Sequence, residues 1–504
     1  MKPIKPLEEY LEEMKKIEGY PIGEDKDILA LSDPPYYTAC PNPYLNDFIA
    51  EHGMAYDEET DDYHREPFVG DVSEGKNDPI YNAHSYHTKV PHKAIMKYIE
   101  HYTDEGDIVL DGFCGTGMTG VAAQLLNRKA ILSDLSPIAT FIAYNYNNPV
   151  DADEFEGEAK RILKEVEDEC GWMYETRHVE ADEDIPESLK KIREKHQEKK
   201  GKINYTVWSD VFICPYCNED FVFWDAAVDK QAGKVLKEFS CPHCSASLKK
   251  TDCERAKFTF FDKAVGQKVT QAKQVPVLIN YTWNKKRCEK KPDEQNLKLI
   301  EKIRGLDIPY WLPTDRMIRG DESRRNDRAG FTHVHHFYFK RDLYVISAFL
   351  KKTKDCKSKA LLTLAITSLL IYSSKLCRWR LQNKSGPLSG TLYISSTIMP
   401  LDAYTILPNR IKRLAKAMNS LKSEDTNNVL ISSQSQTSNQ ILMNSVDYIF
   451  TDPPFGDNIM YSELNFIMES WLKVFTNNES EAIINKSQNK SLSEYHQLML
   501  SAFK

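Results

Sequence analysis

No stretch of this 504-residue chain stays apolar for the ~20 residues that a membrane-spanning helix needs. The longest apolar run, Ala360 to Tyr372, is interrupted by Thr363, Thr367 and Ser368 and reads as a buried helix. The amino terminus, Met1 to Tyr10, alternates Lys, Glu and apolar residues and lacks the apolar core of a secretion signal. An excess of positive charge is missing too. Asp and Glu number 74 against 66 Lys and Arg, a formal charge of -8, which excludes a uniformly basic coat for nucleic acid. Any phosphate contact must then come from local patches. No internal repeat is evident. What remains is a globular chain long enough for two to four structural units, expected in the cytoplasm with no membrane contact.

Cysteine is not scarce. Four of the 11 cysteines form Cys214-Pro-Tyr-Cys217 and Cys241-Pro-His-Cys244, two knuckles that can each supply two thiolates to a tetrahedral Zn2+. This usage fits metal binding in a reducing compartment better than a disulfide framework. Four thiolates leave no open coordination position, so the metal is expected to be structural, organising a ribbon at about 206-255. Phe212, Tyr216, Phe221 and Phe223 are expected to pack around it.

Along the chain, the apolar run Ile28-Leu-Ala-Leu before the turn-rich segment Ser32 to Pro43 predicts some strand. Ile95, Met96, Tyr98 and Ile99 sit at helical spacing, and Asp107-Ile-Val-Leu follows as a short buried strand. A glycine-rich turn, a helix over Gly120 to Asn127 and a strand at Lys129-Ala-Ile-Leu-Ser complete the opening of a doubly wound α/β sheet. Residues 151 to 205, rich in Glu, Asp and Lys and including the basic run Arg193 to Lys202, predict a solvated helical insertion. Long helices are expected around Arg341 to Lys351 and Ala360 to Cys377, then a strand at Ser445 to Phe450 and a helix from Ser462 to Phe475.

Two motifs carry chemistry. In Val109-Leu-Asp-Gly-Phe-Cys-Gly-Thr-Gly, glycines after a strand permit a tight turn and close approach to a ligand. Asp134 ends the next strand, where a carboxylate can accept hydrogen bonds from the ribose hydroxyls of an adenosine cofactor. Gly115, Gly117 and Gly120 also satisfy the spacing of a nicotinamide dinucleotide site. Asp111 weighs against that reading: a carboxylate there repels a pyrophosphate but suits the amino-acid end of S-adenosylmethionine. The second motif is Asp452-Pro453-Pro454-Phe455 after a strand. Its prolines stiffen a turn and leave carbonyls free to accept. An Asp carboxylate and the Pro453 carbonyl accepting from an amino group raise electron density on that nitrogen, while Phe455 can stack on a base. Asp33-Pro-Pro-Tyr36 repeats the string, and we prefer Asp452 because its strand is cleaner.

The pair Asp111 to Gly117 and Asp452 to Phe455 resembles the signature motifs of amino-group DNA methyltransferases. His87-Thr-Lys89-Val-Pro-His92 resembles the segment that this family places before its cofactor strand to hold the methionine part of the cofactor. With the cysteine knuckles and Gly456-Asp-Asn458 through Tyr461-Ser-Glu-Leu, the chain resembles the zinc-ribbon adenine-specific DNA methylases over most of residues 28 to 475. The resemblance implies a doubly wound S-adenosylmethionine-dependent methyltransferase sheet, with Asp111, Phe113, Gly115, Gly117, Asp134 and Lys89 on the cofactor and Asp452, Pro453, Pro454 and Phe455 on the target amino group. It implies modification of adenine in DNA. Cytosine in DNA and guanine in RNA are the nearer rivals, and a non-catalytic nucleic-acid-binding module is the more distant one.

On this reading residues 1-60 form an amino-terminal segment and 61-150 the cofactor half. Residues 151-290 are the insertion with the ribbon, 291-430 a helical target-recognition region, and 431-504 the catalytic half. Basic residues Lys375, Arg378, Arg380 and Lys384 around Trp379, and the cluster Arg316, Arg319, Arg324, Arg325 and Arg328, are candidate nucleic-acid contacts. His333, His335 and His336 lack a partner ligand at suitable spacing. The family sheet continues beyond its catalytic strand, whereas the tail here shows two helical patterns. The expectation is therefore a sheet truncated at the carboxyl end, so that either a second polypeptide completes the fold or activity is impaired.

Overall fold

The computed structural model describes residues 5–54, 56–70, 75–179, 199–229, 232, 234–380, 385–421, 427–438 and 440–504. Five strands make one sheet: β1 (Tyr37–Thr38), β2 (Ile108–Asp111), β3 (Lys129–Asp134), β4 (Val429–Ser433) and β5 (Tyr448–Ile449). Their spatial order is β5-β2-β3-β4-β1 and every pair is parallel. Parallel strands need crossovers: helices carry those from β1 to β2 and from β2 to β3, whereas β4 reaches β5 through a loop whose one element among the described residues is the short 3-10 turn Gln436–Ser438. The helices that matter for the site are α1 (Leu45–His52), α2 (His92–Tyr102), α3 (Met118–Leu125) and α4 (Pro137–Asn147) before β4, and α5 (Tyr461–Leu472) and α6 (Leu492–Ala502) after β5.

Period-two alternation assigns the two faces. Ile108 and Leu110 of β2, Ile131 of β3 and Leu430 of β4 pack against Leu45, Phe48 and Ile49 of α1. Val109, Ala130, Leu132 and Ile431 point the other way, into the main core with Ile99 of α2, Val121 of α3 and Ile142 of α4. Burial on both faces is why these strands read as uninterrupted apolar runs. Each fully buried Ile or Leu contributes about 1.5–3 kcal/mol.

Between α4 and β4 the chain leaves this sheet. A helix over Ala152–Cys170 starts at Asp151, whose side chain accepts from the backbone N–H of Glu154. The strand Lys200–Ile213 pairs antiparallel with Gln274–Trp283, which pairs onward with Lys286–Lys290. The predicted helical insertion over 151 to 205 is thus helix followed by sheet, and most of the run Arg193 to Lys202 lies outside the described residues.

Other expectations also shift. Ile28-Leu-Ala-Leu belongs to a helix, Asp25–Leu31, with Asp25 and Asp27 in the first turn, where acidic groups favour the helix dipole. The helix expected over Ala360 to Cys377 stops at Thr367 and gives way to turns, with Leu369 N donating to Ile366 O and Leu370 N to Thr367 O, before the chain pairs with other segments. Lys375 N donates to Phe337 O, and Met399 N donates to Cys377 O. The Ser445 to Phe450 strand contracts to β5, an edge strand with no outer partner among the described residues. No helix among the described residues is long and apolar enough to cross a membrane.

A carboxylate distant in sequence does reach the histidines. Asp262, at the end of the hairpin strand Lys257–Asp262, accepts at one oxygen from Nε2 of both His335 and His336, each at 2.8 Å. Burial alone would raise the Asp262 carboxyl, but these two hydrogen bonds override it and hold it well below the usual carboxylate range. Burial, with the neighbouring His335, brings His336 down to about 3. The unfolded chain therefore protonates at His336 first, from about pH 6.5 downward. Stability from both groups is present at neutral pH and falls in acid, through His336 between about 6.5 and 3 and through Asp262 below the ordinary aspartate range. Asp262→Asn is expected to cost about 2–4 kcal/mol at pH 7.5 by urea denaturation. A cost under about 0.5 kcal/mol would contradict this role.

Candidate active site

The turn after β2 is built on two residues in the left-handed region, Gly115 at φ +50° and Gly117 at φ +73°. A Cβ on Gly117 would stand 2.6 Å from the Ala143 Cβ of α4, so only glycine permits this packing. Asp111 closes the turn from beneath. One carboxylate oxygen accepts from Thr119 Oγ1 at 2.5 Å; the other accepts from Phe113 N at 3.1 Å and from Thr451 Oγ1 at 3.1 Å. Asp134, at the end of β3, accepts from Gly115 N and Ser136 N, each at 2.9 Å. Burial pushes Asp111 up to about 7 and Asp134 up to about 6, against the pull of those hydrogen bonds.

Because β5 lies beside β2, Thr451 reaches Asp111 and the Asp452 turn opens beside the glycine turn. Phe113, Gly115, Asp134, Gln436, Asp452 and Pro454 line one cleft that encloses about 730 Å³ of space, part of it open solvent. Asp111 and Lys89 line a smaller adjoining cavity that also touches Asp452. Pro454 O accepts from Tyr495 OH of α6 at 3.1 Å, and Phe455 is 84% exposed. Gly117 serves the turn from behind, and Pro453 links Asp452 to Pro454 without lining either cavity.

The Lys89 ammonium is committed to the protein. It donates to Tyr81 O at 2.7 Å and to His84 O and Tyr146 OH at 3.2 Å, and burial brings it down to about 7. The other Asp-Pro-Pro string sits at the opposite edge of the sheet, before β1. There Asp33 accepts from Tyr144 OH at 2.6 Å and lines neither cavity.

Sequence motifs did not reveal the layer beneath the cleft. Asn465 of α5 donates to Tyr86 OH and to Ser136 Oγ, both at 2.9 Å. Glu469, buried and pushed up to about 7 by that burial, accepts from Ser136 Oγ at 2.6 Å and from Thr476 N at 2.8 Å. Polar residues on an otherwise apolar helix were the available signal.

Two groups of side chains among the described residues bring ligand atoms within 4.8 Å of one another. In the first, Cys214 to Cys244 and Cys217 to Cys241 are separated by 3.8 Å at sulfur. A tetrahedral ion with bonds of ~2.3 Å spaces its sulfurs about 3.8 Å apart, so the four thiols fit one metal ion. Phe212, Phe221, Phe223 and Phe239 form the core beside them. Tyr216 does not join it, since at the tip of the knuckle it is 72% exposed. The second group, Asp262 with His335 and His336, is drawn to 2.8 Å, shorter than the ~3.3 Å that bonds of ~2.0 Å would impose. His336 Nδ1 also accepts from Thr332 N and His333 N, which leaves its proton on Nε2. That triad is a hydrogen-bonded knot.

The expected patch around Trp379 is dispersed. Lys375 is buried with its ammonium 4.3 Å over the Phe331 ring, Trp379 packs edge-on against Trp224, and Lys384 lies outside the described residues. The arginine cluster is partly self-paired: Arg316 donates to Asp327 and Arg325 to Glu322.

A parallel sheet with a glycine turn after one strand and an acid at the end of the next fits a methyltransferase fold. Residues 50–145 match the DNA methylase family. The matched segment spans α2, β2, the glycine turn, α3, β3 and most of α4, and with them every cofactor-side candidate named above. That match supports a relation of this segment to the amino-group DNA methyltransferases. No curated protein and no solved structure matches the chain.

Within the methylase segment, the Thr119 hydrogen bond favours ionised Asp111, so removing it should cost more where that carboxylate is charged. Thr119→Val is expected to lose about 1–3 kcal/mol by urea denaturation at pH 8 and visibly less at pH 5. Equal losses at the two pH values would show that Asp111 does not titrate in this window.

Proposed function

We propose that the chain transfers a methyl group from S-adenosylmethionine to the exocyclic amino group of adenine in DNA. The observation that carries the reading is the shared cleft: Gly115 and Asp134 on one wall, Asp452 and Pro454 on the other, with Thr451 hydrogen-bonded to Asp111 between them. The cofactor-side residues fit the group. A Cβ on Gly115 would enter open cleft, its nearest neighbour being Tyr86 at 3.9 Å. The Asp134 oxygens each take one backbone N–H and keep a lone pair for a ribose hydroxyl.

When bound, S-adenosylmethionine supplies an electrophilic methyl on a sulfonium centre. The chain's own residues prepare the nucleophile. The Asp452 carboxylate accepts from the target NH₂, keeps its lone pair on nitrogen, orients it and takes the proton released on transfer; the Pro453 carbonyl is the second acceptor that the motif implies, although Pro453 lines neither cavity before a base enters. Phe455, exposed at the rim, offers its face to a base turned out of the stack. The preference for adenine over cytosine rests on aspartate in the first position of the motif. The four-cysteine cluster we read as a structural zinc ribbon, remote from methyl transfer.

Asp452→Ala is expected to lower the methylation rate by about 10²–10⁴-fold while cofactor affinity changes little, and Asp33→Ala to leave both near wild type. Loss in Asp33→Ala alone would reverse the assignment. Cofactor affinity should rise as pH increases through about 6, where Asp134 ionises and accepts best, and Asp134→Asn should flatten that profile. A pH-independent affinity in the wild type would contradict the role of Asp134. Metal analysis should find one zinc per chain, lost in Cys214→Ser; a metal-free wild type would remove the ribbon from the account.

A further inference from the structure

Away from the cleft, the insertion holds a cavity of about 610 Å³ between the arginine loop and the end of the strand Lys200–Ile213. Asp210, 2% exposed, forms part of its wall. It accepts from Arg255 Nε at 2.7 Å and from Gln274 Nε2 at 3.1 Å. Held by Nε alone, Arg255 keeps its terminal amino donors without a hydrogen-bond acceptor among the described residues. Arg328, exposed on the facing wall, has no hydrogen-bond or ion-pair partner among them. Phe331 and Tyr393 add aromatic surface.

The wall is rigid and is tied to the catalytic half. Glu322 accepts from Thr391 Oγ1 at 2.6 Å and Leu392 N at 2.9 Å, and also holds Arg325. Glu463 of α5, the helix that follows the Asp452 turn, accepts from Glu322 N at 2.8 Å and Ser323 N at 2.9 Å. A Cβ on Gly320 would lie 2.1 Å from the Glu463 carboxyl carbon, so the loop seats closely on α5.

Free guanidinium donors beside a carboxylate discriminate between ligands. A phosphate would use the arginines but leave unmatched the Asp210 carboxylate, whose oxygens each take one donor, from Arg255 and Gln274, and keep a lone pair. In the major groove a G·C pair presents the O6 and N7 acceptors of guanine next to the N4 amino donor of cytosine, which matches guanidinium and carboxylate together.

We propose that this cavity reads a G·C pair in the DNA flanking the target base, with Arg328 and Arg255 donating to guanine, and so helps set the sequence that is modified. The proposal rests on the reading of the chain as a DNA methyltransferase.

The test uses the full chain and a pool of random duplexes, scored by which duplexes are bound and, separately, by which adenines become methylated. Wild type should select one fixed G·C pair. Arg328→Ala should relax that position alone by about tenfold to a hundredfold, with cofactor affinity unchanged. Arg255→Lys, which keeps the charge beside Asp210, should relax the same position. A uniform loss of affinity across all sequences, with a shallower salt dependence, would assign Arg328 to phosphate and overturn the proposal. So would an unchanged selection. Methylation by wild type tests the underlying enzymatic reading by itself, while the binding selection tests the cavity even where no methyl is transferred.

Discussion

A buried carboxylate holds the two halves of the site in one place. Asp111 ends β2, accepts from the turn it precedes, and accepts from Thr451, which immediately precedes Asp452. Burying a carboxylate is costly, and each charge-assisted hydrogen bond to it offsets about 1.5–3 kcal/mol. The balance leaves Asp111 near neutrality, pushed up to about 7. Cofactor-side and target-side motifs, separated by the long insertion, are therefore joined by strand pairing and one side-chain bond.

The insertion is nevertheless bound to the sheet domain through α5. Glu463 draws the arginine loop onto it, and Asn485 donates to the other Glu463 oxygen at 2.9 Å. Asp262 then ties the hairpin to the histidine turn. Each is a buried carboxylate satisfied by several donors. Such groups specify a single arrangement of neighbouring elements, because any other leaves a charge without partners.

β2 and β3 were legible in the sequence because both faces are buried, and α2 because its apolar residues keep helical spacing. The cysteine knuckles announced themselves by spacing. Local pattern could not separate the two Asp-Pro-Pro strings. What separates them is strand order, which puts one beside Asp111 and the other at the far edge of the sheet. Nor could it find Asp262, which meets the histidines only after the hairpin folds back, or show that Lys375 and Trp379 face inward. The short run at Ile28 suits strand or helix by pattern alone, and the acidic first turn at Asp25 and Asp27 is the feature that favours helix.

The most direct measurement is the identity of the product. Purified chain incubated with S-adenosylmethionine carrying a deuterated methyl group and with unmodified duplex DNA should yield, after digestion, N6-methyl-2′-deoxyadenosine bearing the deuterated methyl group, identified by mass spectrometry. Label on cytosine N4 would keep the enzyme class and change the base. Label in RNA alone, or cofactor bound with no label in any nucleic acid, would contradict the central claim.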